Sequence, residues 1–218
     1  MAVQTLYVRS SNSAVVTGTA SVELLSTTAG TSANPIQNIR NGKYLQVIQA
    51  IPGITVNIAV KNTSSVPSSQ GWIFDGSAAG SYAAGNWVIT VADLNSTASG
   101  TQSMQGQLWV VTATTTAVTS VNAFTGVLSS ASFTPATTIT TQTLTFLAPQ
   151  ITLAANQYIY LELYLNQTVA SGLTTSTQSL NYDSPTAGQQ TFITTPNFAT
   201  PSNTSSAPSN FFLLGLWR

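Results

Sequence analysis

The chain has 218 residues, which suits one large β-domain or two small ones and lets it bury roughly 70% of its unfolded surface without staples. Only 5% of its residues are charged, against about 25% in an average globular protein; 27 Ser and 35 Thr take their place, and the net charge is zero. There is no cysteine and no histidine. This excludes disulfides, thiolate metal sites, cysteine nucleophiles and the usual general base at neutral pH. The scattered Arg9, Arg40, Lys43, Lys61 and Arg218 offer no basic cluster for nucleic acid or anionic membrane.

From the N-terminus onward, residues 1–9 (MAVQTLYVR) lack a basic region followed by a long apolar core and do not read as a secretory signal. The expectation is either a signal already removed or release by another route, such as lysis. Period-two alternation rich in Thr, Val, Ile, Tyr and Trp then predicts strands near 2–9, 20–25, 43–50, 54–61, 71–75, 86–93, 105–113, 138–147, 157–165, 190–194 and 210–217. Gly, Asn, Pro and Ser punctuate them, with linkers near 29–35, 63–70, 95–103 and 199–209. Helical periodicity is almost absent. The fold expected is all-β: one antiparallel β-sandwich, or jelly-roll-like domain, over 1–218. No apolar run approaches the roughly 18 residues needed to span a bilayer.

Three segments are candidate assembly contacts. The opening strand, with Leu6 and Val8, is either an ordinary edge strand or an extended arm, 1–9, that completes a neighbour's sheet by strand addition. The strand at 157–165 places Ile159, Leu161, Leu163 and Leu165 on one face and Tyr158, Tyr160, Glu162 and Tyr164 on the other. The leucine row is a core face. The tyrosine row is either a second, partly covered sheet face or a contact surface for a partner or a sugar. The apolar run at 210–217, with Phe211, Phe212, Leu214 and Trp217, must be covered, either by the chain's own core as a closing strand or by another subunit as an exchanged one. The turn-then-aromatic pattern at Gly85-Asn86-Trp87 and Asn156-Gln157-Tyr158 suggests equivalent strands of two sheets.

Reactive chemistry finds little material. A serine hydrolase needs a base beside its serine, and only Lys43 or Lys61 is on offer. Asp75, Asp93, Glu162 and Asp183 supply carboxylates for a glycosidase only on paper, because none stands in a motif. Asp75-Gly76-Ser77 and Asn181-Tyr182-Asp183 are loop-like but too poor in acids for a dedicated calcium loop. An internal isopeptide among Lys43, Lys61 and Glu162 is allowed arithmetically and favoured by no spacing. Asn-x-Ser/Thr sequons at Asn62, Asn95, Asn166 and Asn203 are as many as the Ser/Thr content gives by chance. No catalytic residue, metal or cofactor is therefore expected. With so few ionisable groups, stability should be flat on the acid side.

A solvent face built of Ser, Thr, Asn and Gln raises little repulsion between copies and suits a shell, tube or filament; the other reading is a secreted monomer adapted to an unusual medium. The opening VQTLYVR at 3–9, AGNWVITV at 84–91 and LAANQYIYLEL at 153–163 together resemble β-rich virion proteins of tailed bacteriophages, such as capsid decoration and tail accessory proteins. The resemblance covers about an eighth of the chain. It implies a virion location, assembly with copies of itself and with a major capsid or tail protein, and exit by lysis. The low charge departs from most such proteins, so an extracellular or cell-surface filament subunit joined by strand donation stands beside it. A carbohydrate-binding sandwich using Tyr158, Tyr160, Tyr164, Trp72, Trp87 or Trp109 on surface glycans is the third expectation.

Overall fold

The computed structural model describes residues 2–18, 22–31, 36–38, 48–49, 57–59, 66–67, 71–95, 101–125, 128–134, 136–168, 175–176 and 178–201. The described residues are all-β, with no helix. In chain order the strands are β1 Thr5–Asn12, β2 Glu23–Ser26, β3 Ile36–Asn38, β4 Ile48–Gln49, β5 Asn57–Ala59, β6 Trp72–Phe74, β7 Gly80–Tyr82, β8 Gly85–Asn95 and β9 Thr101–Ala113. They continue as β10 Val118–Ala123, β11 Leu128–Ser129, β12 Thr140–Ala148, β13 Ile151–Leu153, β14 Gln157–Thr168, β15 Thr175–Ser176, β16 Gln178–Asn181, β17 Phe192–Thr194 and β18 Phe198–Ala199. The expected strands at 43–50 and 54–61 fall largely outside the described residues, and that at 210–217 wholly so.

One large sheet runs β10-β9-β14-β6-β2-β1-β17-β8-β16-β3, with β12 added along β8. Its pairs are antiparallel except β2 with β6, which is parallel. The sheet closes over itself. Gly106 on β9 lies so near the opposite layer that a Cβ there would sit 3.3 Å from both Ile89 Cδ1 on β8 and Leu144 Cδ1 on β12. One layer thus holds β9 and β14 and the other β8 and β12, as in a β-sandwich. Alternation along each long strand fills the space between them. Leu108, Val110, Ile159, Leu161 and Leu163 face Trp87, Ile89, Val91 and Leu144 in one continuous apolar core. β8 and β14 thus lie in facing layers of one hydrogen-bonded sheet, but Trp87 enters this core while Tyr158 packs on the other face of β14, so the shared turn-then-aromatic pattern does not mark equivalent side chains.

A second, smaller core lies on the other face of β9 and β14. Trp109, Val111 and Tyr160 pack there with Ile73, Val118, Val16 and Val22. The loop that covers this face is pinned by local polar chemistry. Ser13 Oγ accepts hydrogen bonds from the Val15 and Val16 amides, each at 3.0 Å, and donates to Asp75 Oδ1 at 2.8 Å. The neighbouring Ala14 amide donates to Asp75 Oδ2. The turn into β14 is tight: Asn156 takes a left-handed φ of 60°, a conformation Asn tolerates, while Gln157 N donates to Ala154 O.

Candidate assembly surface

The opening strand is neither an edge nor a free arm. β1 sits inside the sheet between β17 and β2, with Leu6 opposite Ile193 and Val8 opposite Leu25. Leu6 and Val8 are buried in this chain's own core. A charged knot fastens the strand in place. The Asp183 carboxylate accepts hydrogen bonds from Arg9 Nε, from the Ser10 hydroxyl and, at 2.8 Å, from the Ser10 amide. Arg9 Nη1 donates to Thr28 O at 2.9 Å and Ala29 O at 3.2 Å. Asp183 itself adopts φ 63°, and Gly30 packs directly onto its backbone.

The described part of the tyrosine row is covered. Tyr160 and Glu162 are fully buried, and Tyr158 is half-buried against the second core. In register across β9, Tyr160 pairs with Trp109 and Glu162 with Gln107. The side chain of Tyr164 lies outside the described residues, as do Phe211, Phe212, Leu214 and Trp217. Trp72, Trp87 and Trp109 are all buried, so none presents a face on which a sugar ring can stack. Trp72 Nε1 donates to Glu23 at 3.1 Å, and Trp87 is enclosed by Tyr82, Phe124 and Phe146.

The carboxylates serve the fold. Asp75 holds the 13–16 loop, Asp183 the β1 knot and Glu23 the Trp72 indole, while Asp93 accepts from Thr140 Oγ1 at 3.1 Å. Among the described residues, no group of three or more His, Cys, Asp or Glu is placed to hold a metal. A shallow depression of about 240 Å³ on the small β13-β7-β18 sheet is lined by Gly80, Ser81, Gln150, Thr152, Leu153 and Ala199 with Thr200 and Pro201, none of them ionisable. Burial raises the phenol pKa of Tyr82 and Tyr182, the latter helped by the nearby Glu23 and Asp183 charges.

What the molecule does turn outward is the sheet of β12, β8, β17 and β1. Thr143 lies beside Thr90, Thr90 beside Phe192, and Phe192 beside Tyr7. The next row runs Thr145, Val88, Thr194, Thr5. These residues are exposed or half-buried, and none is charged. Strand β12 forms the margin. Thr141, Thr143, Thr145 and Leu147 are exposed, Leu147 at 77%, while Leu144 and Ala148 point into the core. Among the described residues, no strand pairs with the outer edge of β12. Sequence reasoning placed a strand at 138–147 but assigned it no contact role. The alternating Thr-x-Thr-x-Thr-x-Leu was the available signal, but edge position is set by long-range pairing that alternation does not encode.

No protein-family model matches the chain, and comparison with curated proteins finds no match.

Proposed function

We propose that this chain is a non-enzymatic structural subunit that works by packing against copies of itself and against a larger particle. A virion, as capsid decoration or tail component, is the setting its strand patterns suggest. The observation that carries the reading is the pair of uncharged rows on the outer sheet. Rows of Thr, Val, Phe and Tyr spanning β12, β8, β17 and β1 present no like charges to a neighbour and need little desolvation of ions when covered. The carboxylates add support, because those of Glu23, Asp75, Asp93 and Asp183 are engaged in bonds that hold loops and strands. Strand donation by residues 1–9, the filament alternative, fits poorly with a β1 that is bonded on both sides within its own chain. The test is to fractionate the native source by particle size and locate the chain by mass spectrometry. A fixed stoichiometry with a capsid or tail particle is the expected result. A chain found only in the soluble fraction overturns the reading.

A further inference from the structure

The edge of β12 carries the proposal. Natural sheets guard an open edge with Lys, Pro, a bulge or a short strand, because unpaired N–H and C=O groups template another strand. Among the described residues β12 shows none of these guards. It pairs with β8 through nine consecutive residues, Thr140↔Asp93 to Ala148↔Gly85, without a register shift. It contains neither a charged residue nor a proline. We infer that β12 is a self-pairing edge: two copies of this chain join their sheets antiparallel across a two-fold axis. The inference rests on the assembly reading above and names the surface through which copies meet.

Symmetry and side-chain alternation choose the register. An antiparallel two-fold pairing that overlaps all nine residues centres on Leu144, which then meets its own copy. In that register Thr143 faces Thr145, Thr141 faces Leu147, Gln142 faces Phe146 and Thr140 faces Ala148. Shifting by one residue sets core-facing side chains against outward ones, which the alternation forbids. Shifting by two leaves end residues unpaired. The full register extends the Leu144 row of the core across the junction. It adds about eight main-chain hydrogen bonds and continues the outer threonine rows from one copy into the next. No like charges meet, and Thr–Thr pairs across antiparallel strands are favourable.

The pairing makes a charge test possible at Thr143 and Thr145, both exposed and clear of the core. T143K with T145K on one chain sets like charges opposite each other twice. T143K with T145E on one chain sets opposite charges together twice, at the same positions. Sedimentation equilibrium of the full chain should show self-association of the unmodified protein, weakened at least tenfold in the double-lysine variant and retained within a few-fold in the lysine–glutamate variant. Circular dichroism confirms that both variants fold. Should the double-lysine variant not fold, hydrogen exchange on the unmodified chain decides: amides of 140–148 must gain protection as concentration rises. Equal association of all three proteins, or no concentration-dependent protection in 140–148, overturns the β12 edge while leaving assembly through another surface intact. An unmodified chain that is monomeric at every concentration also overturns it. The particle-fraction result separately decides whether the assembly reading falls with it.

Discussion

Replacing Asp183 tests whether the charged knot fixes β1 as an interior strand. The carboxylate accepts from Arg9 Nε, Ser10 N and Ser10 Oγ, and the residue holds φ 63°. Arg9 is 22% exposed, so its loss of a partner is only partly screened by water. Charge-assisted bonds of this kind contribute about 1.5–3 kcal/mol each, but they share one carboxylate and do not add. A left-handed backbone costs Ala about 1–2 kcal/mol, which Asp, Asn and Gly largely avoid. Asp183→Ala should therefore destabilise by about 3–5 kcal/mol. Asp183→Gly should cost about 1 kcal/mol less than Ala, because only the backbone term is relieved. Asp183→Asn keeps an acceptor and tolerates the same φ, so its cost should be about 1–2 kcal/mol. Urea unfolding of the three variants at neutral pH, fitted with a common slope, measures the series. An Asp183→Ala cost below about 0.5 kcal/mol, or a glycine variant as unstable as the alanine one, refutes the reasoning.

Gly106 reports on layer closure: Gly106→Ala should change stability by less than about 1 kcal/mol, because its Cβ meets only flexible side-chain tips. Gly106→Leu should cost about 2–3 kcal/mol by wedging β9 from β8 and β12; thermal melts that do not separate the two contradict the sandwich. Stability should be nearly flat from about pH 5 to pH 9 and fall above about pH 10. Tyr82 and Tyr182 have raised folded pKa values, so the unfolded chain loses their protons first, and stability held below the unfolded pKa is lost as pH rises. The slope should approach about 1.4 kcal/mol per pH unit for each tyrosine, and melting temperatures unchanged to about pH 11 would count against it. Deleting residues 1–9 removes Leu6 and Val8 from the core and a strand bonded on both sides, so the cooperative unfolding transition should vanish. A truncated chain with the parent's melting temperature would place β1 outside the fold.

The long strands were legible because alternation alone specifies them. Trp87, Ile89 and Val91 in β8, and Ile159, Leu161 and Leu163 in β14, face the core as the period of two requires. The three-residue strands β7 and β13 were not, since Gly80–Tyr82 and Ile151–Leu153 are too short to establish a period and depend on each other for pairing. The tyrosine face of β14 was legible only as one of two readings, a partly covered sheet face or a contact surface. Tyr160 is covered by Val16 and Val22 from a stretch whose shape comes from Ser13 and Asp75, 62 residues apart in sequence. The same limit applied to the edges. The terminal strand looked like the free one and β12 looked ordinary, yet β1 is enclosed by β2 and the distant β17, and β12 is left at the margin. Hydrophobic alternation says which face a strand buries; only the completed pairing says which strand has a side to spare.

Sedimentation velocity of the purified full chain, over a wide concentration range in low and in high salt, bears most directly on the idea of a charge-poor subunit of zero net charge made to pack against its own kind. Association that grows with concentration and is indifferent to salt is the predicted result. A single monomeric species throughout, or complexes that dissolve as salt rises, would contradict it.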